Sequence, residues 1–280
     1  MVDCRARPRD DHAGPGARRH AARHAGAACD ARQALTPLAH PATPRHGLAR
    51  ALSKRGVCSR TQAAQWIRDG RVSVDGRIVR DPEFPTIAGR HRIAVDGRSI
   101  DAAPERRVIV LNKPRGLLTT ASDEKGRDTV YRCFDGAGLP WLAPVGRLDK
   151  ASEGLLLFTN DPAWAARITD PATGPDKRYH VQIDAVPDDA LIAALNAGIE
   201  HEGEMLRAKS AALLRSGERT AWLDIVLDEG KNRQIRRMLA AQHIDVLRLV
   251  RVAIGAIALG DLGKGAWREL RADEIAALSP

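Results

Sequence analysis

Two Asp-Gly dipeptides set the firmest limit on what this chain can fold into. Asp75-Gly76 lies between Val72/Val74 and Ile78-Val79, and Asp96-Gly97 lies between Ile93-Ala94-Val95 and Ile100. A two-residue hairpin needs positive φ at both central positions, which Gly adopts freely and Asp tolerates, so each dipeptide predicts a tight turn between short strands. Just upstream the period is helical. Leu48, Ala49, Ala51 and Leu52 make the apolar side of a short helix that Gly56 closes. Ser59, with Gln62 three residues on, opens a second helix whose apolar face is Ala63, Ala64, Trp66 and Ile67 and which Gly70 ends.

The flanking regions differ in kind. Residues 1–46 contain no aromatic residue, no Lys and no apolar period, and read as a disordered basic arm. Residues 47–106 take in the helix pair, the hairpins and the linker 101–106. Over residues 107–280, candidate strands at 107–112, 154–159, 179–184, 220–227 and 246–254 are interspersed with candidate helices at 162–169, 188–197, 232–242 and near 272–278. That pattern predicts an α+β domain on a mixed, mainly antiparallel sheet.

Lys and Arg number 44 against 35 Asp and Glu, a net charge of +9, which makes a polyanion, nucleic acid first, the expected partner. No uncharged apolar run approaches the roughly 20 residues that span a bilayer, and no apolar stretch follows the N-terminal arginines as in a signal peptide. The expectation is a cytoplasmic monomer without a membrane partner. The four cysteines have no C-x-x-C spacing and read as reduced thiols. Cys4, Cys29 and the arm's histidines match no compact zinc finger, so no metal site is expected.

Arg50 and Lys54 stand one turn apart on the first helix, and Arg55 and Arg60 flank the turn to the second. With the Asp-Gly hairpin in register behind this basic corner, residues 47–95 resemble the alpha-L RNA-binding module. The resemblance implies that both helices lie on structured RNA and read its shape and phosphates.

Four further segments carry the chemistry: L-N-K-P-R-G-L-L-T-T at 111–120, V-G-R-L-D-K-A-S-E-G at 145–154, K-R-Y-H-V at 177–181 and E-G-K-N-R-Q-I-R-R-M-L at 229–239. Together they resemble the motif set of the RNA pseudouridine synthases, in the branch named after ribosomal small subunit pseudouridine synthase A. The resemblance implies cleavage of the N1–C1′ bond of a uridine, turning of the base and re-attachment through C5, with neither metal nor organic cofactor. It places Asp149 at C1′ and Tyr179 against the flipped base, near the proton that C5 must lose. It makes Arg236 the cation that holds Asp149 ionised, with Arg233 and Lys231 as the other choices. If 232–242 is helical, Arg233 and Arg236 share a face and Arg237 is free for phosphate. Lys113 and Pro114 read as scaffold, Glu153 as structural, and Arg147 as a guide for the flipped nucleotide. The RNA-binding set is thus Arg50, Lys54, Arg55, Arg60, Arg147, Lys231, Arg233 and Arg237.

The implied substrate is ribosomal RNA or a pre-ribosomal particle, and residues 119–130 with 152–161 lean towards the large subunit. A non-catalytic RNA-binding assembly factor would not need Asp149, Tyr179 and Arg236 together. A methyltransferase would need a Gly-rich turn after a strand, and the glycines at 255, 260, 263 and 265 form none.

Overall fold

The computed structural model describes residues 45–278 except 88, 101–104, 122 and 124. The reading of residues 1–44 as a disordered arm, and most of the 101–106 linker, lie outside the described residues. The arm's last two residues differ from expectation. Arg45–Gly47 forms a strand antiparallel to Pro85–Ile87, and the Thr86 hydroxyl donates to the His46 carbonyl at 2.9 Å. Backbone pairing and one hydroxyl hold this strand, so it leaves no apolar period to read.

The helix pair and hairpins form as local chemistry dictates. Helix Leu48–Lys54 ends before Gly56, whose φ is +67°. Ser59 caps helix Arg60–Arg68 by accepting from the Gln62 amide at 3.0 Å. Asp75 and Gly76 have φ of +50° and +80°, and Asp96 and Gly97 of +50° and +77°, the left-handed pairs that tight hairpins require. Strands Val72–Val74, Arg77–Ile78, Ile93–Val95 and Arg98–Ser99 make a four-stranded sheet. Leu48, Leu52, Ile67, Val72 and Ile93 are buried between helices and sheet, each contributing about 1.5–3 kcal/mol.

Beyond residue 107 the chain builds a nine-stranded sheet. Its main path runs Ser210–Ser216, Ala221–Leu227, Lys177–Ile183, Val246–Ile254, Glu153–Thr159, Val108–Lys113, Trp267–Glu269. All neighbours on this path are antiparallel except one pair, Val246–Ile254 beside Glu153–Thr159, joined in parallel at Val250↔Glu153 and Arg251↔Gly154. There the two backbones come so close that a Cβ on Gly154 would lie 2.3 Å from the Arg251 carbonyl oxygen, and Gly154 has φ of +99°. Only glycine fits. Helices Asp189–Ala197 and Gln234–Ala240 cover one part of the sheet through Leu195, Met238 and Leu239. Pro162–Thr169 covers another through Trp164 and Ile168.

All five anticipated strands are present, and the helix expected at 162–169 has those bounds. The helix expected at 232–242 is shorter, because Arg233 adopts φ of +49° and cannot belong to it. Strands Pro85–Ile87, Ala143–Val145, Ile199–His201, Glu204–Leu206, Ser210–Ser216, Ile257–Ala258 and Trp267–Glu269 were not anticipated. Among the described residues no helix is long and apolar enough to cross a membrane.

Candidate active site

The 145–154 segment forms a loop that runs into the strand Glu153–Thr159, and the 111–120 segment holds that loop in place. The Lys113 ammonium is fully buried and donates to the carbonyls of Pro114 at 3.1 Å, Asp149 at 3.2 Å and Ser152 at 2.8 Å. Burial pulls its pKa down to about 8, against the opposing pull of Asp149 and Glu153. The Thr119 hydroxyl donates to the Leu148 carbonyl at 2.7 Å, and the Gly116 amide to that of Lys150 at 2.7 Å. Glu153, 3% exposed, is ion-paired with Arg248 at 3.1 Å and Lys264 at 2.8 Å. Burial alone would raise its pKa; the two cations outweigh it and the net shift is downward.

This loop presents Asp149 to a cleft of about 330 Å³, which Tyr179, Arg233, Arg236 and Arg251 also line. Ile168, Leu227, Leu249 and Ile254 give it apolar walls. A more open polar recess of about 620 Å³ adjoins it and shares Arg147, Asp149 and Arg233. Tyr179 sits mid-strand, opposite Ile225 on one side and Arg251 on the other, and its hydroxyl has no hydrogen-bond partner among the described residues. Arg147 is exposed at the shared rim and is likewise unpaired there.

The partner of Asp149 is not Arg236. Arg233 Nη1 lies 3.3 Å from Asp149 Oδ2. The left-handed backbone at Arg233 takes it off the face it would share with Arg236 in a continuous helix and turns it towards the loop. Arg236 donates to the carbonyls of Val246 at 3.3 Å and Ala151 at 3.4 Å, and its Nε is buried without a partner. Burial and then the charge of Arg233 pull its pKa down, while Asp149 opposes them. Arg236 therefore lines the cleft while bracing the loop through the Ala151 carbonyl.

Two of the anticipated phosphate ligands are engaged within the protein. Arg237 pairs with Glu204 at 2.8 Å. Lys231 pairs with Glu229 at 3.2 Å and Glu204 at 3.5 Å, and donates to the Met205 carbonyl. Both cations tie the 229–239 segment to a hairpin that the sequence pattern does not foretell, so Arg237 is not free. In the helix pair, Arg50 and Arg60 are exposed, Arg55 is half-buried, and Lys54 contacts His46 at 3.0 Å. Desolvation, then Lys54 and Arg50, lower the His46 pKa. His46 thus joins the basic corner rather than the arm in which its position in the sequence put it.

Among the described residues there is no group of three or more His, Cys, Asp or Glu that could hold a metal ion. The arrangement can do one kind of work well. One carboxylate with an adjacent cation faces an apolar slot with an aromatic floor, which suits stabilising or capturing positive character at a sugar carbon while a planar base stays in the slot.

Comparison with known proteins agrees with this geometry. Residues 107–241 match the RNA pseudouridylate synthase family, and residues 47–85 match the S4 domain. A ribosomal large subunit pseudouridine synthase B from Haemophilus influenzae is 34% identical over 234 residues, covering 81% of this chain and 65% of that protein. The protein of the same name from Bacillus subtilis is also 34% identical, covering 82% of this chain and 94% of that one. A crystal structure of a pseudouridylate synthase superposes with a TM-score of 0.58 at 30% identity, over 83% of this chain and 99% of that one. The chain belongs to the RNA pseudouridine synthase family, with an S4 domain ahead of its catalytic domain.

Proposed function

We propose that this protein converts uridine to pseudouridine in large-subunit ribosomal RNA, with Asp149 acting at C1′. The observation that carries the reading is the placement of Asp149, paired with Arg233 and pinned through its carbonyl by buried Lys113, at the mouth of a cleft floored by Tyr179. The names of the Haemophilus and Bacillus relatives support the large subunit as the source of substrate.

The target base must leave its stack, at a cost of a few kcal/mol, and phosphate contacts supply that binding energy. Arg50, Lys54, Arg55 and Arg60 offer them on the helix pair, and Arg147 at the rim of the cleft. Inside, the apolar walls and the Tyr179 ring hold the uracil by its faces. As the glycosidic bond breaks, the Asp149 carboxylate stabilises or captures C1′, and the base turns without leaving. When C5 has bonded to C1′, its proton has to go, and the unpartnered Tyr179 hydroxyl stands ready to take part in removing it. Arg233 holds Asp149 in position, and Lys113 and Arg236 fix the loop that carries it. The enzyme acts as a monomer in the cytoplasm, where ribosomes are assembled.

The experiment is tritium release from large-subunit rRNA labelled with [5-³H]uridine, alongside pseudouridine mapping in cells with and without the gene. Release by the wild-type protein and loss of one or a few mapped sites are expected. Sites lost only from small-subunit rRNA would overturn the choice of subunit.

A further inference from the structure

Arg251 is a cation in the cleft to which the mechanism above gives no part. It is 5% exposed in the central strand Val246–Ile254 and lines the cleft. Its Nε donates to the Leu155 carbonyl at 2.7 Å, but its Nη2 is buried with no partner. Among the described residues no carboxylate pairs with it. A buried guanidinium with an unmet N–H is costly unless something comes to accept from it. Its position is equally specific. Arg251 is opposite Tyr179 on one side and Gly154 on the other, where the close approach at Gly154 brings the strand that follows the Asp149 loop against it. Lys177 lines the same floor, and burial and then the charge of Arg251 lower its pKa.

We propose that Arg251 Nη2 donates to a carbonyl oxygen of the flipped uracil and stabilises the negative charge that the base takes on when its bond to ribose breaks. The proposal rests on the uridine isomerisation assigned above. Cleavage sends the C1′–N1 electron pair to the base, where it spreads over N1 and the two carbonyl oxygens, while Asp149 stabilises or captures C1′. The pair returns when C5 bonds to C1′; C5 then loses its proton to solvent and N1 takes one up, so the product is an isomer of the substrate and nothing is oxidised or reduced. A base that picked up a proton at N1 could no longer be held as an anion for re-attachment. Guanidinium is suited to this task because it donates hydrogen bonds without giving up a proton in proteins, whereas an ammonium or imidazolium can. Depth separates its role from that of Arg147: the base reaches the buried floor, and the phosphate stays at the exposed rim.

The test uses the full chain with enzyme in excess over a [5-³H]uridine-labelled large-subunit rRNA transcript, so that tritium release reads turnover and filter retention reads binding. Arg251→Gln should release tritium about 100-fold more slowly, the usual loss when a donor to a developing oxyanion is removed, with the RNA Kd within about twofold of wild type. Arg251→Ala should recover rate in millimolar guanidinium at constant ionic strength but not in equimolar urea, which has the same shape without the charge. Release by Arg251→Gln within about threefold of wild type, or equal recovery in urea and guanidinium, overturns the proposal. If the Ala variant does not fold, Arg251→Lys keeps a cation in place; it should bind RNA normally and turn over at least about tenfold more slowly, and wild-type turnover would overturn the proposal. A wild-type protein that releases no tritium from any rRNA would overturn the activity and this proposal together, whereas normal wild-type release with unaffected variants removes Arg251 alone.

Discussion

On the helix pair, Arg50 and Arg60 are exposed and have no partner among the described residues. Around the cleft, Arg233 reaches Asp149, Arg237 reaches Glu204, and Arg236 is spent on backbone carbonyls. The first group is available to a polyanion, and its contribution falls as salt rises. The second group shapes a site, and its members are specific to their partners. In sequence both are runs of arginine; what separates them is which carboxylates and carbonyls the fold brings within reach.

The change expected to strike hardest is Asp149→Asn, which keeps the shape and removes the charge. Turnover should fall by roughly 10⁴-fold or more, as when a group that acts directly on the reacting atom is removed. Binding of rRNA by filter retention should persist, since the phosphate-facing cations are elsewhere. Tyr179→Phe comes next: with the ring kept and the hydroxyl gone, tritium release should slow by about 10²–10⁴-fold, the span of general acid–base catalysis. Tyr131→Phe should leave the rate unchanged, because that hydroxyl donates to the Leu142 carbonyl away from the cleft.

The contrast within the 229–239 segment can be broken directly. Arg233→Gln should lower kcat by about tenfold, the low end for a charged hydrogen bond because the pair is half exposed. Arg237→Gln should leave kcat at saturating RNA close to wild type and lower the Tm, since it strips a partner from Glu204. If Arg237→Gln harms kcat more than Arg233→Gln does, the pairing seen at 3.3 Å is not the working one.

A smaller, opposed pair of effects should follow from pH. The Lys113 pKa of about 8 lies below its ordinary 10.5. Between those two values the unfolded chain holds more protons than the folded one, so this group makes stability rise with pH. Its ammonium donates to three carbonyls of the loop, and a neutral amine has only two N–H groups to give. Activity should therefore decline as pH passes about 8 while the Tm contribution of Lys113 grows. A joint fall of activity and Tm over that window would mean ordinary unfolding instead.

These contrasts also mark how far the sequence could be read. Asp75-Gly76, Asp96-Gly97, the Ser59 cap and Asp161-Pro162 each fix their own geometry within a few residues, so the hairpins and two helices were legible. Ser210–Ser216 was not. It is an edge strand with a register shift between Leu213 and Arg215 and with both Leu213 and Leu214 exposed, so no alternation shows. Asp149 and Tyr179 stand out through their motifs, and both line the cleft. The cation beside Asp149 is not Arg236, as the motif suggests, because the choice between Arg233 and Arg236 turns on the sign of one φ angle. The hairpin residue Glu204, which engages Lys231 and Arg237, is some thirty residues away in sequence and carries no local mark. Arg251 did leave a signal: with Arg248 it is one of two cations in the interior strand V-L-R-L-V-R-V-A-I, where a charge needs a reason, and Glu153 supplies one for Arg248 only.

The exposed cations of the helix pair should have the least effect on chemistry and a distinct effect on binding. Replacing Arg50, Lys54 and Arg60 with Ala removes three charges without opening the buried core formed by Leu48, Leu52, Ala63 and Ile67. Every cation that neutralises a phosphate steepens the plot of log K against log salt by about 0.7–0.9, so the triple variant should show a slope shallower by about two to three units if all three touch phosphate. Affinity at low salt should fall accordingly, while kcat at saturating rRNA stays near wild type, because none of the three lines the cleft. Lys54→Ala alone also frees His46, whose pKa should then move back towards its ordinary value, since the neighbouring ammonium is one cause of its depression. An NMR titration of that imidazole in the full chain reads this directly. A triple variant whose salt slope matches wild type would show that the exposed arginines are a solvated face, and would move the search for phosphate ligands to Arg147 and the recess beside Asp149.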